Sequence, residues 1–266
     1  MSTATLALPV VTRPSSVRIF LREMRYEILR AMRTRAFSLS AIGFPVMFYI
    51  LFGLVLNRNE TMARGVSVAK YLLGGYAVFG ALGAAIFGIG IGVAVDRSAG
   101  WLDLKRASPM PPLAYVLSKC VMAVVFSLII VSVLSVLGIA FGHVSITWTE
   151  FLHIALFAAA GAVPFSCLGL AMAFLVPPNA AGGIANMIYL PMSFLSGLWV
   201  PIRFLPHALQ AIAPAFPTYH LAQLMYAALG AESRGSTASH WLSLLGFTCV
   251  MLGVTWIAFR KQEQNS

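Results

Sequence analysis

Six long apolar stretches of the 266-residue chain that are not divided by closely spaced prolines contain no Asp, Glu, Lys or Arg, and they constrain the fold more than any other feature. Each is close to the ~20 residues that a helix needs to cross a hydrocarbon core of roughly 30 Å. Their apolar residues are spread around the helix, without the alternation of a transmembrane barrel. We therefore predict an all-α integral membrane protein with six spans, at residues 37–56, 71–95, 120–141, 151–176, 180–200 and 241–259.

Composition agrees with this fold class. The chain is 59% hydrophobic and 10% charged, whereas soluble domains carry about 25% charged residues. The net charge of +10 invites a nucleic-acid interpretation. No basic patch interleaved with aromatic residues stands apart from the membrane flanks, so we predict no nucleic-acid partner.

The distribution of the basic residues predicts the orientation of the chain in the membrane, because short cytoplasmic loops retain Lys and Arg. Thirteen of the 18 lie in the N-terminal arm, after the second span or in the tail at 260–266, and five lie on the opposite side. Both termini should therefore be cytoplasmic, and we predict a multi-pass protein of the cell membrane, in a bacterium the inner membrane. The thirteen are Arg13, Arg18, Arg22, Arg25, Arg30, Arg33, Arg35, Arg97, Lys105, Arg106, Lys119, Arg260 and Lys261.

The cytoplasmic arm at 1–36 precedes the transmembrane domain at 37–259 and contains a helical pattern. Ser15 or Ser16 can cap a helix whose apolar residues recur at three- and four-residue spacing. The pattern predicts an amphipathic helix at the membrane surface, in contact with membrane lipids. Contact with a cytosolic partner is compatible with that position. The apolar positions are Val17, Phe20, Met24, Ile28 and Ala31.

Small residues mark one face of the second span, where Gly80, Ala84, Gly88 and Gly92 follow one another at intervals of four. Helices in lipid gain dispersion contacts by close backbone approach, so this ridge should face another helix. That helix belongs either to the same chain or to a second copy.

The last third of the chain is irregular. Pro191 should kink the fifth span, and Asn186 either hydrogen-bonds a neighbouring helix or faces a cargo pathway. Residues 201–240 are apolar but cut by prolines into pieces too short to cross a bilayer. We predict short external re-entrant helices there, either a structural cap or a lateral exit gate.

The sequence contains no phosphate-binding loop, paired carboxylates, nucleophile elbow or metal-ligand spacing. We therefore predict no catalytic residue, no metal site and no cofactor in this chain. Ion-coupled carriers place charged side chains inside the membrane, and the six predicted spans hold none. Any energy for transport should come from another subunit.

The insert between spans two and three, residues 96–119, reads DRSAGWLDLKRASPMPPLAYVLSK. It resembles the corresponding segment of permease subunits of type-two export ABC transporters, with an acidic-Arg start, Gly-x-Leu, Ser-Pro, and Tyr and Lys at the next helix. FPVMFYILFG at 44–53 and the Ser-Gly-x-x-x-Pro element of 194–229 are similar to further family segments. Ser98 stands where the family often has a second Glu.

The resemblance implies the membrane half of an exporter that works as a dimer, with a second copy of itself or a related permease, together with cytosolic ABC ATPase subunits that hold the ATP and Mg. The insert would be the coupling loop that docks on the ATPase. A merely solvated loop is the alternative. The implied coupling residues are Asp96, Arg97, Gly100, Trp101, Leu102, Leu104, Ser108 and Pro109.

The cargo path should run between spans two and five and be mostly apolar, which favours hydrophobic or amphipathic cargo such as a drug-like natural product or a lipid-linked molecule. A lipid-linked polysaccharide is the alternative cargo. A membrane anchor or assembly subunit that transports nothing is the alternative of another class. The candidate path residues are Phe79, Phe87, Asn186, Met187, Tyr189, Met192 and Phe194.

Overall fold

The computed structural model describes residues 15–57, 60–62, 65–101, 104 and 110–263. Every regular element in these ranges is helical, apart from an isolated bridge between Thr61 and Ser67. This confirms the all-α prediction. The helices are α1 (Ser16–Arg33), α2 (Arg35–Phe48), α3 (Val68–Ala85), α4 (Gly92–Ser98), α5 (Pro112–Gly142), α6 (Trp148–Leu175), α7 (Ala181–Leu195), α8 (His207–Ile212), α9 (Pro217–Ala228) and α10 (Thr237–Glu263).

Two π-helical turns lengthen the helices near the start of the bundle. One, Tyr49–Val55, continues α2, and the other, Ile86–Ile91, joins α3 to α4 without a break. Five stretches of the described residues are consequently long and apolar enough to cross a membrane: Arg35–Val55, Val68–Ser98, Leu113–Gly142, Trp148–Leu175 and Thr237–Lys261. The chain is a membrane protein by this measure.

The six-span prediction is not confirmed, because the predicted crossing at 180–200 is a shorter helix. α7 has 15 residues and at 1.5 Å per residue rises about 22 Å, less than the hydrocarbon thickness. A Schellman motif ends it: Leu198 N–H donates to the Ser193 carbonyl, Gly197 N–H to that of Phe194, and Gly197 has φ +74°. Gly197 thus supplies the left-handed residue that closes the helix.

The ridge of small residues on α3 faces α5 of the same chain, so the intrachain alternative is the one observed. A Cβ atom added at Gly80 would lie 2.7 Å from Ile130 Cγ2, and one at Gly88 would lie 2.8 Å from Met122 Cε. Both neighbours belong to α5. The missing side chains at Gly80 and Gly88 therefore leave the space that these α5 side chains occupy.

Two ion-pair regions define the ends of the bundle. At one end, here named the far end, Lys70 Nζ lies 2.6 Å from Glu150 Oε1. Glu150 also completes a capping box with Thr147 at the start of α6. At the other end, here named the arm end, Asp96 on α4 lies 3.2 Å from Lys119 on α5. The helices α3, α5 and α6 therefore run through the bundle in alternating directions.

The segment at 201–240 lies at the far end and contains short helices, as predicted for it. α8 has six residues and α9 twelve, and Pro206 and Pro217 stand at their starts. α9 packs against α3, α6 and α10 and buries most of its side chains. Its depth in a membrane stays a prediction.

The N-terminal arm contains the predicted helix, with Ser15 as its cap accepting a hydrogen bond from Arg18 N–H. α1 packs on α5 through a face that includes Ala31 and Glu27, both buried, whereas Val17 is exposed. The face turned to the bundle is thus partly charged, and its position at a membrane surface stays a prediction.

Candidate functional site

A charge cluster, buried except for the 53% exposed side chain of Arg30, joins α1, α4 and α5 at the arm end, immediately before the insert. It consists of Glu27, Arg30, Asp96, Tyr115 and Lys119. Arg30 donates two hydrogen bonds to the Asp96 carboxylate, from Nη2 to Oδ1 at 2.7 Å and from Nη1 to Oδ2 at 3.1 Å. Tyr115 Oη donates to Oδ2 at 2.8 Å and Lys119 Nζ at 3.2 Å. The carboxylate, in a residue 1% exposed, is thus held by donors from two helices.

Lys119 connects the two carboxylates of the cluster. Its Nζ lies 2.7 Å from Glu27 Oε2 as well as 3.2 Å from Asp96, and the residue is 2% exposed. Two carboxylates therefore balance two cations. Balance is needed because an uncompensated charge at such burial costs several kcal/mol. The hydrogen bonds to Asp96 raise the pKa of Arg30, so its cation persists at every physiological pH.

The sequence contains a signal for this cluster that the six charge-free runs do not show. α5 begins at Pro112, so Lys119 lies about two turns inside a helix that is otherwise apolar. A lysine at that depth requires an anionic partner. Glu27 and Arg30 are three residues apart on α1, on nearly the same face. The six charge-free runs hid the cluster because they ended just short of these residues.

Arg97 makes a separate contact across the arm end. Its Nη1 donates to the Phe174 carbonyl at 3.2 Å and its Nη2 to the Val176 carbonyl at 3.0 Å. Phe174 lies in the last turn of α6, whose oxygens lack partners within the helix, and Val176 is the residue that caps it. The guanidinium thus ties the end of α4 to the end of α6.

The beginning of the insert is a turn with apolar side chains on its surface. Gly100 has φ +72° and its N–H donates to the Arg97 carbonyl, which ends α4. Trp101 is 54% exposed and Leu104 is 66% exposed. Of the other residues implied in coupling, Leu102, Ser108 and Pro109 lie outside the described residues.

A cavity of about 200 Å³ lies beside the charge cluster. Its walls are mainly apolar and come from α1, α2, the π-helical turn Ile86–Ile91, α4 and α5, while Glu27, Arg30 and Lys119 line one end. The π-helical turn contributes Phe87 to it. The cavity thus combines an apolar wall with a charged end. Its apolar lining residues are Ala31, Phe37, Phe87, Ile91, Val95 and Met122.

The structure brings some of the predicted path residues together and leaves others apart. The rings of Phe79 and Tyr189 stack with centroids 4.5 Å apart, and Phe87 meets Tyr189 at 5.1 Å. Tyr189 Oη also donates to the Phe79 carbonyl. Met192 is buried on the same helix as Tyr189.

The remaining path candidates lie on the exposed face of α7. Met187 is 75% exposed and Phe194 41% exposed. Asn186 is also exposed, and its Nδ2 donates to the Gly182 carbonyl one turn earlier rather than to a neighbouring helix. These three residues therefore line no enclosed space within the described part of a single chain.

The described helices form an apolar bundle with five candidate membrane spans, as expected of an integral membrane protein. The family model described as ABC-2 type transporter matches residues 20–229, and the chain belongs to this family of transport permeases. It is similar to the protein named "Putative transport permease YvfS" of Bacillus subtilis (strain 168), with 27% identity over 237 residues that cover 89% of this chain and 95% of that protein. The resemblance inferred from the motifs is confirmed.

Proposed function

We propose that this chain is the permease subunit of an ABC exporter for hydrophobic or amphipathic cargo, driven by separate ATPase subunits that dock on the insert after α4. Two copies, or one copy and a related permease, form the membrane part. The cell membrane of a bacterium is the proposed location, with both termini in the cytoplasm.

The observation that carries the proposal is one continuous helical rod, Val68–Ser98. This rod contributes Phe87 to the cavity, and at Asp96 it is hydrogen-bonded to side chains of α1 and α5. After the rod, the chain passes through Gly100 to the exposed side chains of Trp101 and Leu104. A force applied at the insert therefore acts on the wall of the cavity. In this proposal Asp96 acts indirectly, by positioning α4, because donors of the same chain occupy its carboxylate.

The cavity supports the proposed cargo class. An apolar wall with a balanced charged end fits a molecule that has an apolar body and a polar end. Stacked rings at an open mouth would have favoured a polysaccharide. The rings of Phe79 and Tyr189 are instead closed on one another, 1% and 4% exposed. Family membership favours transport over a mere anchor.

The matched glycines Gly100 and Gly230 test the coupling role. Both have φ near +70° and an added Cβ would meet no atom within 4 Å at either, but Gly230 ends α9 at the far end. Alanine should cost about 1–2 kcal/mol of backbone strain at either position. Gly100→Ala should weaken ATPase binding by up to about tenfold and slow ATP hydrolysis by the purified complex. Gly230→Ala should leave both unchanged.

Replacement of residues 98–112 by a Gly/Ser linker of equal length provides the stronger test. An ABC ATPase should co-purify with the wild-type chain in detergent and be lost from this variant, while the variant stays in the membrane fraction. Retention of the ATPase by the linker variant, or equal effects of the two alanine variants, would contradict docking at the insert.

A further inference from the structure

Two histidines meet at the far end of the bundle, His220 on α9 and His240 on α10. Their Nδ1 atoms are 2.9 Å apart, the usual separation of a hydrogen bond between two ring nitrogens. Each ring also contacts a backbone carbonyl through its other nitrogen. His220 Nε2 lies 2.9 Å from the Pro214 oxygen, and His240 Nε2 lies 2.8 Å from the Arg234 oxygen. We name these two residues the histidine pair.

The carbonyl contacts fix which nitrogens carry hydrogen. A carbonyl oxygen only accepts, so both Nε2 atoms must be N–H donors. A neutral imidazole has a single N–H, so two neutral rings would then direct two bare Nδ1 lone pairs at each other across 2.9 Å. Two imidazolium rings would oppose two N–H groups instead. The contacts are satisfied in full only when the pair holds one extra proton.

We propose that the histidine pair is a proton-binding site that holds a single proton between the two Nδ1 atoms and joins α9 to α10 only in that state. The pair then carries one positive charge. A proton-binding role goes beyond the proposed transport function, because it concerns how the far-end segment is attached to α10 and does not depend on the cargo.

Burial makes the protonation state matter for structure. His240 is 4% exposed and its ring lies against Gly235, where a Cβ atom would come within 3.2 Å of His240 Cε1. Gly235 has φ +89°, so both its backbone and its missing side chain accommodate the ring. His220 is only half-buried, so its ring can turn toward solvent when the shared proton leaves or when a second proton binds. α9 would then lose its polar link to α10.

The electrostatic surroundings fit one proton rather than two. Burial, and next the charge of His240, lower the pKa of His220, against the effect of the Pro214 carbonyl. Among the described residues, the other ionisable groups recorded beside the pair are Tyr219, whose ring centroid is 5.4 Å from that of His220, and Arg234, whose charge acts on Tyr219 and whose backbone carbonyl accepts from His240. Neither supplies a carboxylate that would stabilise a second proton.

The dependence on pH has two limbs. His220 resists protonation in the folded state, so the unfolded chain binds more protons below about pH 6.5 and stability falls as the pH drops there. When the pH rises until the shared proton leaves, the opposed lone pairs weaken the contact again. The contribution of the pair should therefore be greatest between the two limbs, and the two titrations belong to the pair as a unit.

Thermal unfolding of the purified full chain in detergent between pH 5 and pH 9, with EDTA present, tests the proposal. The amide of His220→Asn can donate or accept, so it satisfies His240 at any pH. The difference in Tm between wild type and His220→Asn should be bell-shaped in pH, with an amplitude of about 3 °C. When His220→Asn is added to a His240→Asn chain, the difference in Tm between the single and the double variant should not change with pH. His207→Asn on α8, an exposed position, should behave as wild type.

Nitrogen-15 NMR of the histidine-labelled wild-type chain gives a second measurement that does not depend on how the variants fold. At neutral pH the two Nδ1 signals of the pair should lie between the values for protonated and bare nitrogen, with both Nε2 atoms protonated. Two bare Nδ1 signals would overturn the proposal. A bell-shaped difference that disappears in EDTA and returns with added Zn²⁺ would also overturn it, in favour of a two-histidine metal site.

Discussion

Single residues at the arm end decide how the membrane helices are joined to the insert. Asp96 is an acidic residue between an apolar run and a loop, and the sequence alone suggested a group available to a partner. In the structure its two oxygens accept from Arg30, Tyr115 and Lys119. Because its hydrogen-bonding capacity is used within the chain, Asp96 positions α4. The exposed apolar residues after it are the ones that can contact another protein.

The first prediction concerns this carboxylate. Asp96→Asn keeps the volume but removes the charge, leaving the cations of Arg30 and Lys119 with Glu27 as their anion in the cluster. The free energy of unfolding should fall by about 3–5 kcal/mol, as when one partner of a buried pair is removed. Denaturant unfolding in detergent measures the change. Glu232→Gln, at an exposed acidic residue of the far end, is the control and should change it by less than about 0.5 kcal/mol. Equal changes in the free energy of unfolding for the two variants would contradict this interpretation of the cluster.

At the scale of elements, the close packing of α3 on α5 organises the bundle. The sequence pattern predicted that the small-residue ridge packs against a helix, but it did not indicate which helix. Ile130 and Met122 of α5 occupy the space that side chains at Gly80 and Gly88 would need. The π-helical turn Ile86–Ile91 follows directly and presents Phe87 to the cavity, so the packed part of the rod is continuous with the part that lines a site.

Gly80→Ala tests this contact. The added methyl group would lie 2.7 Å from Ile130 Cγ2, and overpacking of this kind costs about 1–3 kcal/mol. The thermal midpoint should fall, and Ile130→Val in the same chain should restore part of the loss by removing Cδ1, which would lie 2.8 Å from the added Cβ. Gly246→Ala on α10, where no atom lies within 4 Å of the added Cβ, should be neutral or stabilising because alanine is the better helix former. A ridge that served only a second copy would show no dependence on Ile130.

At the scale of the whole molecule, the exposed apolar surface suits a lipid environment. α10 contacts α6 and α9 and exposes Leu245, Trp256 and Ile257. α7 exposes Met187 and Phe194 in the same way. In water such a surface would mark an interface, whereas in a bilayer the acyl chains cover it at no cost. The fold is therefore built from polar contacts at the two ends and close packing between them.

The predicted orientation can be checked on the two ends of the bundle. Single cysteines are introduced in a chain whose three native cysteines are replaced, at exposed Ala99 of the arm end or exposed Glu232 of the far end. A membrane-impermeant maleimide should label Glu232→Cys in intact cells and Ala99→Cys only after permeabilisation, because the basic residues hold the arm end in the cytoplasm. The reverse pattern would place the insert outside, where no ATPase could reach it.

Much of the architecture follows from the sequence because the cost of exposing charge to hydrocarbon acts on each segment by itself. Charge-free runs, proline positions and the insert motif were enough to predict the helical class, the permease family and the short far-end helices. The count of six crossings is not confirmed at 180–200. There the apolar run continues to Val200 but Gly197 closes the helix at Leu195, and run length alone carries no information about a left-handed residue.

What the tertiary structure alone decided are contacts between residues far apart in the chain. Arg30 reaches Asp96 across 66 positions, Arg97 reaches Phe174 across 77, and His220 finds His240 across 20. Each of these groups is ambiguous in the sequence, since its charge, exposure and protonation depend on which atom stands opposite. The bilayer requirement fixes the helices one by one, but the pairing of polar groups at their ends depends on how those helices pack together.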